Sequence, residues 1–200
     1  MVIYGIYYAL ALAGAGVLIS FVLSWPWAVP LYALAGFCLW FFRDPEREAP
    51  PGPVAVSPAD GKIVSIKSLS PALTRISIFL NIFDVHVNRS PIAGRITEVR
   101  YQPGQFLVAS REEASAQNEQ NTVVVQDQDT TVTFKQIAGL IARRIICYKK
   151  PGDVVTAGER IGLIRFGSRV DVFLGPEWNV SVRTGERVKA GASVLARRRS

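Results

Sequence analysis

Over its first 42 residues this 200-residue chain carries no Asp, Glu, Lys or Arg. Arg43 is the first charged side chain, so all 39 charged residues fall in the remaining 158. Imidazole and thiol are scarce too: one histidine, His86, and two cysteines, Cys38 and Cys147. One histidine and two separated cysteines are a poor basis for a metal site, and none is expected. Cys38 lies in the apolar block and Cys147 in the charged part, so a disulfide framework is excluded and a reducing compartment fits. The glycines are scattered at turns, with neither a G-x-G-x-x-G nor a Walker pattern, which excludes a glycine-rich phosphate loop.

What fills the uncharged block is apolar. "VIYGIYYALALAGAGVLISFVL" (2–23) matches the ~20 residues that cross a hydrocarbon core. "WPWAVP" (25–30) adds interfacial aromatics and two helix breakers, and "LYALAGFCLWFF" (31–42) is apolar but short for a span. Two membrane-embedded pieces follow from this, as a hairpin or as one span with a re-entrant segment. A cleaved signal peptide fits poorly, because there is no basic n-region and the run is too long. Arg43 and Arg47 flank the block, and the rest of the chain is basic, with a net charge of +7 and "RRR" at 197–199. The positive-inside tendency then places the remainder on the cytoplasmic side of the cell membrane. Basic residues near anionic lipid contribute roughly 1 kcal/mol each. Nucleic acid is the competing partner for such charge, but the membrane block and the lack of aromatic-basic interleaving speak against it.

"FFRDPEREAPPGP" (41–53) reads as a stiff linker, giving a division into 1–42, 43–53 and 54–200. Beyond it come short runs rich in Val, Ile, Thr and aromatics, among them "GKIVSI", "NTVVVQD", "TTVTFKQI" and "RVDVFL". Their spacing predicts a mainly β fold, a flattened barrel or sandwich, behind an apolar helical segment. Only "LVASREEASAQNEQ" (107–120) admits a helical turn or a mobile loop. "PGDVVTAGERIG" (151–162) and "TGERVKAGASVL" (184–195) share Gly-acidic-x-Val-x-Ala-Gly-x-x-aliphatic at an offset of 33. Glycines six apart around a valine suit tight turns flanking a short strand. The pattern is similar to that of the flattened barrels of lipoyl and biotinyl carrier domains, and it predicts duplicated β structure.

Three residues could carry chemistry. His86, in "NIFDVHVNRSPIAG", ends an alternating run before a turn; a lone histidine is more often structural than catalytic. Asp60, in "SPADGKIV", reads first as a turn former. Ser168 follows Gly167 in "RFGSRVDVF", where a Gly-Ser pair between β-forming runs reads first as a turn or bulge. Together they would supply nucleophile, base and orienting carboxylate.

In this order, "FFRDP", "SPADGKI", "FDVHVNRSPIAG", "QIAGLIARRI", "GERIGLIRFGSRVDVFL" and "VKAGASVLA" closely resemble the short bacterial form of the pyruvoyl-dependent phosphatidylserine decarboxylases, over roughly residues 41–196. The resemblance implies that Ser168 Oγ attacks the Gly167 carbonyl. Elimination and hydrolysis then leave a pyruvoyl group on residue 168, a β chain of 1–167 and an α chain of 168–200, held together as a heterodimer. His86 would be the base and later a proton donor, with Asp60 orienting or charge-stabilising it. The pyruvoyl group would form a Schiff base with the serine headgroup of phosphatidylserine and take up electrons as CO₂ leaves, yielding phosphatidylethanolamine. Arg165, Arg169, Arg143 and Arg144 are candidates for binding the lipid phosphate and carboxylate. Two departures stand out: Phe-Gly-Ser-Arg where longer relatives carry Leu-Gly-Ser-Thr, and "EQN" (119–121) where Glu-Arg-Asn is expected. Without cleavage, the same chain would read as a membrane-anchored lipoyl-like adaptor, or as a serine hydrolase using Ser168 directly.

Overall fold

A computed structural model describes residues 2–109, 112–140, 144–164 and 168–199. The chain divides into two compact units, Met1–Glu46 and Arg47–Ser200. The first is a helical pair, α1 (Ile3–Val22) and α2 (Trp25–Phe41), with Pro26 in the first turn of α2. The helices lie side by side and antiparallel. The Val2 N–H donates to Phe42 O (3.0 Å), and a Cβ at Gly16 would come within 2.8 Å of the Tyr32 ring, so small residues let them approach. Among the described residues, α1 alone is long and apolar enough, by length and composition, to cross a membrane.

The second unit is built from strands. Along the chain they are β1 (Val54–Val56), β2 (Gly61–Ser70), β3 (Leu73–Leu80), β4 (Val87–Arg89), β5 (Gly94–Gln102), β6 (Gln120–Gln126) and β7 (Thr131–Ile137). β8 (Ile145–Cys147), β9 (Val154–Val155), β10 (Arg160–Ile164), β11 (Ser168–Leu174), β12 (Trp178–Val180), β13 (Arg187–Val188) and β14 (Val194–Arg198) follow. A helical turn, α3 (Ala114–Gln117), falls inside the segment where sequence allowed one.

These strands form an antiparallel eight-stranded sheet in the order β13-β2-β3-β11-β7-β6-β5-β9, which curls into a half-barrel, and two three-stranded sheets, β1-β14-β12 and β4-β10-β8. The order is duplicated. β1–β3 with β11–β14 repeat the pairing of β4–β10, and the second set is inserted into the first between β3 and β11. The 33-residue repeat is the outermost part of this duplication: β13 and β9 cap the two edges of the large sheet, Val188 opposite Gly61 and Val155 opposite Gly94. Gly152, Gly158, Gly185 and Gly191 all adopt positive φ, as the tight turns around each short strand require. "SPADG" (57–61) and "SPIAG" (90–94) stand at the same offset and make the same turn: Ser57 Oγ donates to Ala59 O (2.6 Å) and Ser90 Oγ to Ile92 O (2.7 Å).

The core lies on the inner face of the curled sheet, where Ile63, Ile76, Ile78, Val123, Phe134, Val170 and Val172 are fully buried. Phe134 packs between Val123 and Val172, its partners on the two adjacent strands. Phe134→Ala is expected to lower unfolding free energy by about 3–5 kcal/mol, read by denaturant titration of the full-length protein in detergent.

Candidate functional site

Two connections join the two halves, and the described residues that flank them are bonded to each other. The first leaves β3 at Leu80 and enters β4 at Val87; the second leaves β10 at Ile164 and enters β11 at Ser168. Ser168 pairs with Leu80, and the Ile164 N–H donates to His86 O (3.2 Å). Start of one connection is thus bonded to end of the other, and His86 and Ser168 are the last residues before, or the first within, the strands they lead to.

The first connection is tightly folded. Asn81 Oδ1 accepts from the Phe83 N–H (2.7 Å), and Asp84 Oδ2 from the Asn81 N–H (2.9 Å). His86 is buried, with Nδ1 2.8 Å from Asp84 O. A carbonyl can only accept, so Nδ1 carries the proton in this contact and a neutral imidazole presents Nε2 as its basic atom. Ser168 is fully buried, and its Oγ finds no hydrogen-bond partner among the described residues. Strand alternation puts it on the inner face with Val170 and Val172. A buried hydroxyl with no structural bond to make is costly unless something else needs it.

Asp60 lies at the end of the "SPAD" turn, next to Gly61, whose φ of +148° and close approach to the Phe79 carbonyl admit no side chain. Its carboxylate forms a two-point pair with Arg47 (Nη2 to Oδ2 2.9 Å) and accepts the Ala190 N–H (2.8 Å). The His86 Nδ1–H thus donates to Asp84 O, while Asp60 ties the linker to the second repeat copy through Arg47 and Ala190. Gly167, Arg165 and Arg143 lie outside the described residues.

A family model for phosphatidylserine decarboxylase matches residues 34–196. The chain belongs to the phosphatidylserine decarboxylase family. It is 64% identical over 194 residues to a phosphatidylserine decarboxylase proenzyme of Solibacter usitatus, covering 97% of this chain and 95% of the relative. It is 49% identical over 180 residues to the proenzyme of Syntrophus aciditrophicus (86% and 84% covered) and 43% over 189 to that of Magnetococcus marinus (90% and 87%). An enzyme of a decarboxylase family is the reading these relatives favour, over an adaptor without catalysis.

For a decarboxylase family member the remaining arginines are informative. Arg144 is exposed, one residue before Ile145, the partner of Ile164. Arg169 points to the outer face, opposite Ser168, and is 1% exposed. Its Nε donates to Asp171 Oδ1 (2.7 Å) and its Nη2 to Ser77 Oγ (2.6 Å), with Glu112 at 3.5 Å; Ser115 Oγ donates to the other Asp171 oxygen (2.6 Å). A cavity of about 430 Å³ lined by Arg75, Glu112, Lys135, Asp171 and Phe173 is on that outer face, away from Ser168.

Sequence reasoning missed a row of buried amides on the inner side. Asn121 Nδ2 donates to Gln136 Oε1 and Gln136 Nε2 to Asn88 Oδ1, both at 2.9 Å. Gln136 is opposite Val170, two residues from Ser168, and Asn88 is two residues from His86. Polar residues at inward positions of alternating runs were the available signal.

Arg47→Met leaves the buried Asp60 carboxylate unpaired and is expected to cost about 3 kcal/mol in unfolding free energy, with Asp60→Asn added to it restoring part of the loss. Glu112 supplies a pH signature. Burial pushes its carboxyl up, but hydrogen bonds from Arg75 and Lys67 and the charges of Arg75 and Arg169 outweigh this and hold it at about 2, from 4.5. The stabilisation is complete above pH 4.5 and is lost as pH falls toward 2. At 45% side-chain exposure it amounts to less than about 1 kcal/mol. Thermal midpoints of the parent and Glu112→Gln should therefore converge as pH falls through that window.

Proposed function

We propose that the chain is a proenzyme that cuts itself between Gly167 and Ser168 and then converts phosphatidylserine to phosphatidylethanolamine and CO₂. The observation that carries the reading is the buried Ser168 Oγ, which has no bonding role among the described residues and begins a strand at the junction with the His86 connection.

His86, with Nδ1 occupied by Asp84 O, takes the Ser168 hydroxyl proton on Nε2. The Ser168 Oγ–Gly167 C bond forms and the amide C–N bond breaks, leaving an ester and a free amine on residue 168. Loss of the Ser168 Cα proton expels the Gly167 carboxylate, and water then displaces ammonia from the resulting enamine. Asp60 contributes charge to this site with Arg47 as its counter-ion, rather than a direct hydrogen bond to the ring.

The residues fit the covalent pyruvoyl group this implies: residue 168 would carry it, buried on the inner face beside the row of amides. The group would supply a carbonyl able to condense with the substrate's amine, and so a conjugated sink for the electron pair of the departing carboxylate. His86 is the proton donor to the substrate α-carbon. Arg144, exposed one residue before the strand partner of Ile164, is a candidate for the lipid phosphate, as are its neighbour Arg143 and Arg165, the residue after Ile164. Ile82 (39% exposed) and Phe83 (63%), in the loop that delivers His86, suit a substrate whose acyl chains stay in lipid. The helical pair and the basic charge fit attachment to the cell membrane with the β unit on the cytoplasmic side and anionic lipid against it.

The halves would stay together after cleavage. β11 is hydrogen-bonded to β3 and β7, β13 to β2 and β14 to β1, so the α chain is woven into strands of the β chain.

The purified full-length protein should run as two unequal chains, with the fragment starting at residue 168 lighter by one ammonia than a serine-started peptide. Ser168→Ala should give one chain of 21.9 kDa and no CO₂ from phosphatidylserine vesicles. An uncut parent that still releases CO₂ overturns the proposal.

A further inference from the structure

A self-cut at residue 168 creates a difficulty that the outer face of the sheet addresses. The cut makes residue 168 a chain end, and chain ends fray unless something ties them down. The reacting ketone would sit on that end. Its register pairs it with Leu80 on β3, whereas the paired register with β7 begins one residue later, Arg169 opposite Ile137. We infer that Arg169 is the anchor of the new chain end: a positioning residue that grips the strand from the outer face and holds residue 168 on the inner one. The inference rests on the cleavage reading above.

The geometry of the grip is specific. Arg169 is the first residue after the end with strand partners on both sides, Phe79 and Ile137. Its guanidinium reaches three parts of the molecule at once: Asp171 on its own strand (2.7 Å), Ser77 on β3 (2.6 Å) and Glu112 in the segment leading into α3 (3.5 Å). Asp171 is in turn fixed by Ser115 Oγ (2.6 Å), so the α3 segment closes over the pair. Arg169 and Asp171 are 1% and 0% exposed. Replacing a buried ion pair by apolar residues is often neutral for stability, so conformational definition at this place is the better account of it. A rigid planar fork also holds direction in a way that an ammonium group does not. With these donors committed to Asp171, Ser77 and Glu112, the inference gives Arg169 a positioning role in place of the headgroup-binding one that its sequence position suggested.

Two full-length variants test this: Arg169→Lys, and Arg169→Met combined with Asp171→Leu, which removes the pair without stranding a charge. Both should still yield two chains on a denaturing gel and a ketone at residue 168 by mass. With phosphatidylserine in mixed micelles, KM should stay within about twofold of the parent, while kcat falls roughly tenfold to a hundredfold in the double variant and less in Arg169→Lys. Amide exchange at 169–171 should speed up in the processed double variant. Unchanged kcat in both variants overturns the inference. So does a raised KM at constant kcat, which would make Arg169 a headgroup ligand, and so does a double variant that fails to fold while Arg169→Lys has parental kinetics, which would make the pair a stability element only. A parent that stays a single chain on the gel removes the chain end itself, and the gel tells that failure from the others.

Discussion

The two connections between the halves are bonded to each other, and the site depends on that coupling. Ser168 pairs with Leu80 where the first connection begins, and Ile164 bonds to His86 where it ends. Each connection carries the chain from the large sheet to a small one or back, so neither can move without disturbing ladders on both sides. Strand order rather than any local motif brings His86 and Ser168, 82 positions apart in sequence, to the ends of these two connections. The same coupling would make the proposed break beside Ser168 survivable. Interrupting a connection removes a loop constraint whose entropy depends only weakly on length, and it leaves the strand pairing of β11–β14 in place.

Around this junction the molecule accepts an unusual amount of buried polarity. The Arg169–Asp171 pair begins one residue after Ser168 and the Asn88–Gln136–Asn121 row starts two residues after His86, while the Asp60–Arg47 pair ties the linker to the second repeat copy. Each is satisfied, and satisfied polar networks fix one arrangement where an apolar core tolerates several. Elsewhere the core is aliphatic apart from Phe134 and Trp178. Polar burial is concentrated where placement matters to a fraction of an ångström.

Much of this was legible. Alternation of Val, Ile and Thr with polar residues marked β2, β5–β7, β10 and β11, because each has one face in the core and period 2 is a local property. The glycine-bounded repeat marked β9 and β13, because positive φ demands glycine locally. The partners were not legible. That His86 is oriented by the backbone of Asp84, two residues away, follows from the Asn81–Asp84 turn, while Asp60 is drawn off by Arg47 from a stretch that composition marks as a linker. That Arg169 faces outward could have been read from Ser168: adjacent strand residues take opposite faces, so a serine aimed at the core sends its neighbour to the other side.

The duplication sharpens the distinction between scaffold and site. Positions 33 apart are matched where the scaffold needs them: Gly61 with Gly94, Ser57 with Ser90, Val188 with Val155. They differ where chemistry is assigned. Asp60 corresponds to Ala93 and His86 to Pro53, so one half carries ionisable groups where the other carries none. The largest departure is topological. In the second half, β6 and β7 are joined by a plain hairpin, Gln126 opposite Thr131 with the Asp127 N–H donating to Thr130 O (2.9 Å). The equivalent strands of the first half, β3 and β11, are not joined at all; the entire second half is inserted between them. Ser168 therefore stands where a symmetric molecule would have had a hairpin turn. That position is already the end of a paired strand and needs no continuous chain to hold its two strands together, so a peptide bond broken beside it would leave the sheet paired.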